Sequence, residues 1–362
     1  MSGPTRDAVV VGGGPAGLAF AIAAARRGLA VTVLEKRDGP VDKACGEGIL
    51  PPGVRALSAL GVSARLDAEH VAPFRELRWI ERGYAARVRL PEPGGLGVRR
   101  TALSAALAAR AREVGAEIVQ AEVHAHRRER DRIWALSTAG DFDAKVLVAA
   151  DGLGSPVRRR EGLELPAGGP ARYGVRRHFA MPPWAEAVEV HFGPGAEAYV
   201  TPVGARRVGV AFLFERQGPV EFDALLARFP ALAQLLENAP AITTPRGAGP
   251  LARRARARIA DRLVLLGDAA GYLDAVTGEG LSIAFGCAQE LAVLLPGALH
   301  EGATRAALAP YERVWRRRFG PYWAWTRLVL GLTRRPELRH RLLALAASRP
   351  APFERAVRLA VG

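Results

Sequence analysis

The chain has 362 residues, 49% apolar and 24% charged, which suits one large or two interleaved globular domains and excludes a mini-protein, a coiled coil or a disordered chain. Basic residues outnumber acidic ones 51 to 36, a formal net charge of +15, and only Lys36, Lys43 and Lys145 are lysines. The excess is arginine, suited to bidentate contacts with phosphate or carboxylate. With Cys45 and Cys287 as the only cysteines, no disulfide framework or multi-cysteine metal site is expected, no metal is assigned, and a reducing cytoplasm is the expected location.

Residues 8–11 are an apolar run suited to a strand buried on both faces, followed at once by GGGPAG and an alanine-rich stretch of helical character. The run 8–25 carries no charge, yet its four glycines and one proline argue against a signal peptide or a membrane span. In the turn, Gly12, Gly14 and Gly17 form G-x-G-x-x-G around Pro15 and Ala16. The first glycine permits a tight turn, the second lets a pyrophosphate approach the backbone, and the third lets helix and strand pack closely. A second buried strand at 30–34 ends in Glu35 and Lys36, with Glu35 eighteen residues after Gly17, where a carboxylate can accept hydrogen bonds from ribose hydroxyls. Dinucleotide binding follows from this strand, turn, helix and acid taken together.

The next feature is the loop KACGEGILPP, residues 43–52. Gly46 and Gly48 suit a backbone lying against a flat ring, and Cys45 reads either as a small packing residue or as a group beside that ring. Stretches 74–80 and 84–90 alternate polar and apolar residues, as do 171–180, 188–192, 198–204 and 207–214, which predicts an antiparallel sheet with one face packed and the other over a cavity. Val188, Val190 and Phe192 fall on one face of it, Glu189 and His191 on the other. Tyr173, His178, His191 and Tyr199 are its hydrogen-bonding candidates, Tyr199 foremost. Before these, Arg100 opens an R-x-x-L-x-x-x-L helix with Leu103 and Leu107, Arg99 standing beside it, and the strand 145–150 runs into Asp151-Gly152-Leu153-Gly154-Ser155 and Arg158. Near residue 262 another buried strand ends at Gly267-Asp268, and Gly278-Glu279-Gly280-Leu281 opens an apolar helix whose free N–H groups and dipole suit an anion. Residues 301–362 hold thirteen arginines against four glutamates, with Trp315, Trp323 and Trp325 among them. That mixture fits helices with an arginine-rich outer face, an interfacial amphipathic helix or a lipophilic tunnel wall. No RNA-binding signature accompanies it, and no nucleic-acid partner is expected.

Together these stretches resemble the FAD-binding oxidoreductases of the para-hydroxybenzoate hydroxylase fold, which include class A flavin monooxygenases, flavin halogenases and geranylgeranyl-reductase-like enzymes. The likeness spans most of residues 5–300. It implies an α/β fold in which a Rossmann-type FAD-binding domain (1–73, 99–168 and 245–300) carries an inserted antiparallel β-sheet substrate domain (74–98 and 169–244) and a basic helical C-terminal segment (301–362). It implies FAD contacts from Gly12, Gly14, Pro15, Ala16, Gly17, Glu35, Lys36, Cys45, Gly46, Arg100, Val123, Asp151, Gly152, Gly267, Asp268, Gly278, Gly280 and Leu281, and a supporting role for Ser155 and Arg158. With one dinucleotide fingerprint in the chain, NAD(P)H is expected as a transient donor.

The leading expectation is an NAD(P)H-driven monooxygenase of an apolar or aromatic small molecule such as a polyketide, quinone or isoprenoid, with Tyr199, Cys45 and His191 as catalytic candidates. The alternative is a geranylgeranyl-reductase-like alkene reductase. It draws on the CGEG and TGEG segments and on Ala275, where the resemblance implies proline; histidine is common where Gly271 stands. A third reading, of another class, is a basic surface-binding protein without catalysis. The expected partner is a lipophilic substrate, with peripheral membrane contact through the basic tail.

Overall fold

A computed structural model of the chain describes residues 6–215 and 221–361, with side chains as far as 358. Its first layer is an eight-stranded sheet in which Leu263–Leu265, Gly140–Ala149, Arg6–Val11, Val31–Glu35 and Glu117–Gln120 lie side by side in parallel. The apolar runs foreseen as doubly buried strands are so: Ala8–Val10 and Val146–Ala149 are without solvent exposure. Helices Pro15–Ala25, Arg100–Glu113 and Gly280–His300 share one apolar cluster with this sheet. The last of these is long and apolar enough to cross a membrane, but half of its apolar window is buried within the protein, where it packs along Pro15–Ala25.

The second layer is a seven-stranded sheet in the order Arg246–Ala248, Arg172–Phe179, Val208–Glu215, Ala196–Pro202, Ala187–Gly193, Glu76–Glu81 and Tyr84–Arg89. All six alternating stretches lie in it. One pairing departs from the antiparallel expectation, Ala187–Gly193 running parallel to Glu76–Glu81, as two segments far apart in sequence are free to do. Val175, Ala198, Val200 and Phe212 pack on one face beneath helices Phe222–Leu226 and Pro230–Leu236. The opposite face carries Arg172, Arg176, His178 and Tyr199, which bond to Asp274, Asp42, Glu47 and Val276 of the first layer.

Two short strands lie near the expected segment boundaries. Arg246–Ala248 joins the second sheet, although three residues centred on a glycine carry no readable period. Gly95–Val98 pairs instead with Val71–Phe74 and Gly48–Ile49 in a separate three-stranded sheet. The tail forms helices Arg305–Thr333, Pro336–Ser348 and Pro350–Val361. The first packs on Gly280–His300 and the other two against Tyr84–Arg89, so the tail packs on one face of the second sheet at that end as well as on the first layer.

Candidate active site

At one end of the interlayer cleft the glycine turn is dictated by sterics. Gly12 has φ +107°, and a Cβ there would lie 2.5 Å from the Ala150 carbonyl oxygen. At Gly17 a Cβ would stand 2.1 Å from the Gly12 carbonyl oxygen, so the strand and helix meet only without side chains. Beside Gly14 no atom of the chain lies within 4 Å of a built Cβ, and Pro15 occupies the first helical position. The Glu35 carboxylate accepts the Gly13 N–H at 2.7 Å and the Arg37 N–H at 3.1 Å. It is thereby tied to the turn with lone pairs to spare. Val123 lies two residues past Ala121, whose N–H is bonded to the Glu35 carbonyl. Lys36 is exposed and faces Glu122 at 3.5 Å.

The Asp151 and Gly267 corners close on this turn. Gly267 (φ +61°) packs so near the helix start that its Cβ would lie 2.7 Å from Ala16 Cβ. Asp151 accepts the Val157 N–H at 3.1 Å, while its other oxygen is buried without a partner, and burial raises its carboxyl above the usual range. Burial raises Asp268 likewise, opposed by Lys43, Arg100 and Arg158. Arg158 has another task than the one the resemblance implies. Fully buried, it donates to the carbonyls of Ala269 at 2.9 Å and Leu153 at 2.7 Å and to Glu164 at 3.0 Å, bracketing the two corners together from behind.

The loop containing Cys45 crosses between the layers. Arg176 donates to Asp42 and to the Lys43 carbonyl, and Lys43 Nζ lies 3.1 Å from a Cβ built at Gly152. Burial and Arg100 lower the Lys43 amine, while Asp268 and Glu35 raise it. Glu47, buried and at φ +59°, accepts the Arg100 N–H at 2.7 Å and bonds His178 Nε2. Arg99 and Arg176 both donate to His178 Nδ1, so Nδ1 is the acceptor and the proton sits on Nε2. Burial pushes Glu47 up, but His178, Arg176 and the Arg100 amide outweigh it and hold the carboxylate ionised; burial lowers His178. Locked in this way, the loop presents Cys45, whose thiol is pushed up by burial. Arg100 Nε is buried without a partner, and a Cβ at Gly46 would meet nothing within 4 Å.

At the far end, Gly278 (φ +72°) and Glu279 lead into Gly280, the first residue of the helix that continues through Leu281. Glu279 Oε2 is buried without a partner, and burial pushes its carboxyl up to about 7 against one hydrogen bond from Thr277. Tyr199 donates its hydroxyl proton to the Val276 carbonyl at 2.9 Å. Arg172 binds Glu197 at 2.7 Å and Asp274 at 2.9 Å. These contacts pin the 274–278 segment, Ala275 within it, to the second sheet. The Tyr272 ring lies 3.1 Å from a Cβ built at Gly280, and burial raises its phenol well above the ordinary value.

His191 is a correction. It pairs with Glu189 at 3.1 Å opposite Ala198 and Val200, on the helix-covered face of the sheet and across from Tyr199. Alternation separated the two faces but did not say which one turns inward. Arg172, Arg176, Asp274 and Lys43 did not stand out in the sequence as site residues. Arg172, Gly174, Arg176 and His178 share one phase of a strand, and that phase was the signal available for two of them.

The residues fit the FAD that the fold implies. Turn, acid and corner lie together, Asp151 and Arg100 each carry a buried polar atom without a partner among the described residues, and the approach at Gly14 is free of side chains. Residues 5–320 match a family profile described as an FAD binding domain. Digeranylgeranylglycerophospholipid reductase 1 of Methanopyrus kandleri is 31% identical, over 86% of this chain and 86% of that protein. Menaquinone reductase of Mycobacterium tuberculosis is 29% identical over 76% and 72%, and kynurenine 3-monooxygenase of Salinispora arenicola 28% over 84% and 75%. The solved structure of the flavin-dependent brominase Bmp2 superposes with a TM-score of 0.84 at 18% identity, over 98% of this chain and 94% of that one.

Proposed function

Because the chain belongs to the FAD binding domain family and is an FAD-dependent oxidoreductase, we propose that it reduces a carbon–carbon double bond in the prenyl chain of a lipophilic substrate, with NAD(P)H as transient electron donor. The observation that carries this reading is the placement of Cys45, its thiol pushed up by burial, in a loop that Glu47 locks to Arg100 and His178. Saturating a double bond adds one hydride and one proton. FAD, when bound and reduced, supplies the hydride. The proton has two sources in this chain: the Cys45 thiol, pushed up by burial, and the Glu279 carboxyl, whose value of about 7 keeps a share of it protonated at neutral pH. Tyr199 holds the Ala275 segment in place through Val276 and acts by positioning. Gly12, Gly14, Gly17 and Glu35 bind the adenosine diphosphate half, and Asp151, Asp268, Lys43 and Arg100 the middle of the cofactor. The names of the Methanopyrus and Mycobacterium relatives, both reductases, support the same reaction class.

The likeness to kynurenine 3-monooxygenase favours a second reading, oxygenation of an aromatic substrate. An anaerobic titration separates the two. Protein whose FAD has been reduced with NADPH or dithionite is mixed with a geranylgeranyl-bearing lipid under argon. Return of the yellow absorbance without dioxygen is the expected result. Return only after dioxygen is admitted, accelerated by an aromatic substrate, would favour oxygenation.

A further inference from the structure

Nine large apolar side chains stand exposed among the described residues, and five of them, Trp323, Leu328, Leu338, Leu342 and Leu345, lie on two consecutive tail helices. A sixth, Tyr84, meets His340 of the same region edge-on at 5.3 Å. On Arg305–Thr333 the exposed positions Gly320, Trp323, Ala324, Arg327, Leu328 and Gly331 recur at helical spacing and form one stripe. Leu338, Leu342 and Leu345 form the corresponding stripe on Pro336–Ser348. Exposed arginines edge both: Arg327, whose guanidinium lies 4.5 Å from the Trp323 ring centroid, and Arg335, Arg341 and Arg349. The acids nearby are engaged, Glu337 with Arg82 and Glu354 with Arg358.

We propose that this outward face of the two tail helices docks on an anionic lipid bilayer. Apolar residues and a tryptophan with an arginine rim are the chemistry of an interfacial helix face. The tail's excess of nine positive charges is complementary to acidic headgroups. A second copy of the chain is the poorer partner, since a two-fold contact would set arginine rim against arginine rim. The other side of the first of these helices reaches the candidate active site. Tyr322 accepts the Asp274 N–H at 3.1 Å, Thr326 bonds Thr277 at 3.2 Å, and Val329 and Leu330 pack in one cluster with Tyr199 and Val276. One helix therefore separates the docking face from the segment on which the proposed chemistry depends, and a lipophilic substrate would pass from bilayer to site along a helix it never has to leave.

Co-sedimentation of the FAD-loaded protein with vesicles tests the surface. Vesicles of phosphatidylcholine with phosphatidylglycerol should bind at least about tenfold more protein than phosphatidylcholine alone. The triple variant Leu328→Ser/Leu342→Ser/Leu345→Ser should lose about tenfold in binding, with its FAD absorbance and circular dichroism intact because all three residues are exposed. Arg335→Gln/Arg341→Gln should abolish the preference for phosphatidylglycerol. Absence of binding, equal binding to both vesicles, or an unaffected triple variant would overturn the proposal. So would dimerisation of the free protein that the same triple variant removes, since the face would then serve self-association. The readout is independent of turnover, so it stands or falls apart from the reductase reading.

Discussion

Glu279 is a carboxyl whose solvent has been taken away and replaced by one hydroxyl. Burial pushes it from an ordinary 4.5 up to about 7, so between those values the folded protein holds a proton that the unfolded chain releases. Stability from this group is complete below the unfolded value and is lost as the pH rises through the folded one, by up to about 3 kcal/mol. Urea unfolding at a series of pH values should show this decline, and Glu279→Gln should flatten it; an identical decline in the variant would assign it to other groups. At this scale, what the sequence made legible is chemistry confined to one local unit of the chain. Gly12, Gly14 and Gly17 and the acid at Glu35 could be read because one short strand–turn–helix–strand unit of fixed length brings them together. Glu47 and His178 could not, since the bond between them joins positions 131 residues apart, and neither residue shows its partner.

Among the elements, the strand–turn–helix corners carry the design, and Arg158 shows how a motif can be read correctly in place and wrongly in role. Its position after the Asp151 corner is what the resemblance implies, yet its guanidinium points into the protein and ties that corner to the one at Gly267. Arg158→Met leaves the Ala269 carbonyl and Glu164 without their donor and the Leu153 carbonyl with Arg253 alone. It should cost about 2–4 kcal/mol and weaken FAD retention, measured by urea unfolding and by dilution of the yellow protein; a change under about 0.5 kcal/mol would show that the corners hold themselves. Alternation found the strands of the second sheet because its helix-covered face is apolar. It could not rank the inward face, where Arg172, Arg176 and His178 replace the usual apolar residues with a buried charged network. The same limit misplaced His191.

Over the whole molecule, two sheets face each other across a cleft, a loop from the first reaches the second through Glu47 and Asp42, and the tail helices brace both. The two-layer architecture was legible because doubly buried strands and half-buried strands have different hydrophobic periods. The boundary strands at 95–98 and 246–248 were not, being too short to show one. One end of the arrangement is rich in glycine and charge, and the other carries Cys45, Glu279 and a helix leading to the tail. Its central claim is that the protein adds hydrogen across a prenyl double bond. Mass spectrometry of the lipid product, after turnover with NADPH in the presence of isotopically labelled dioxygen, tests this most directly. The account predicts a product heavier by two hydrogens with no labelled oxygen; a product carrying one labelled oxygen atom would contradict it.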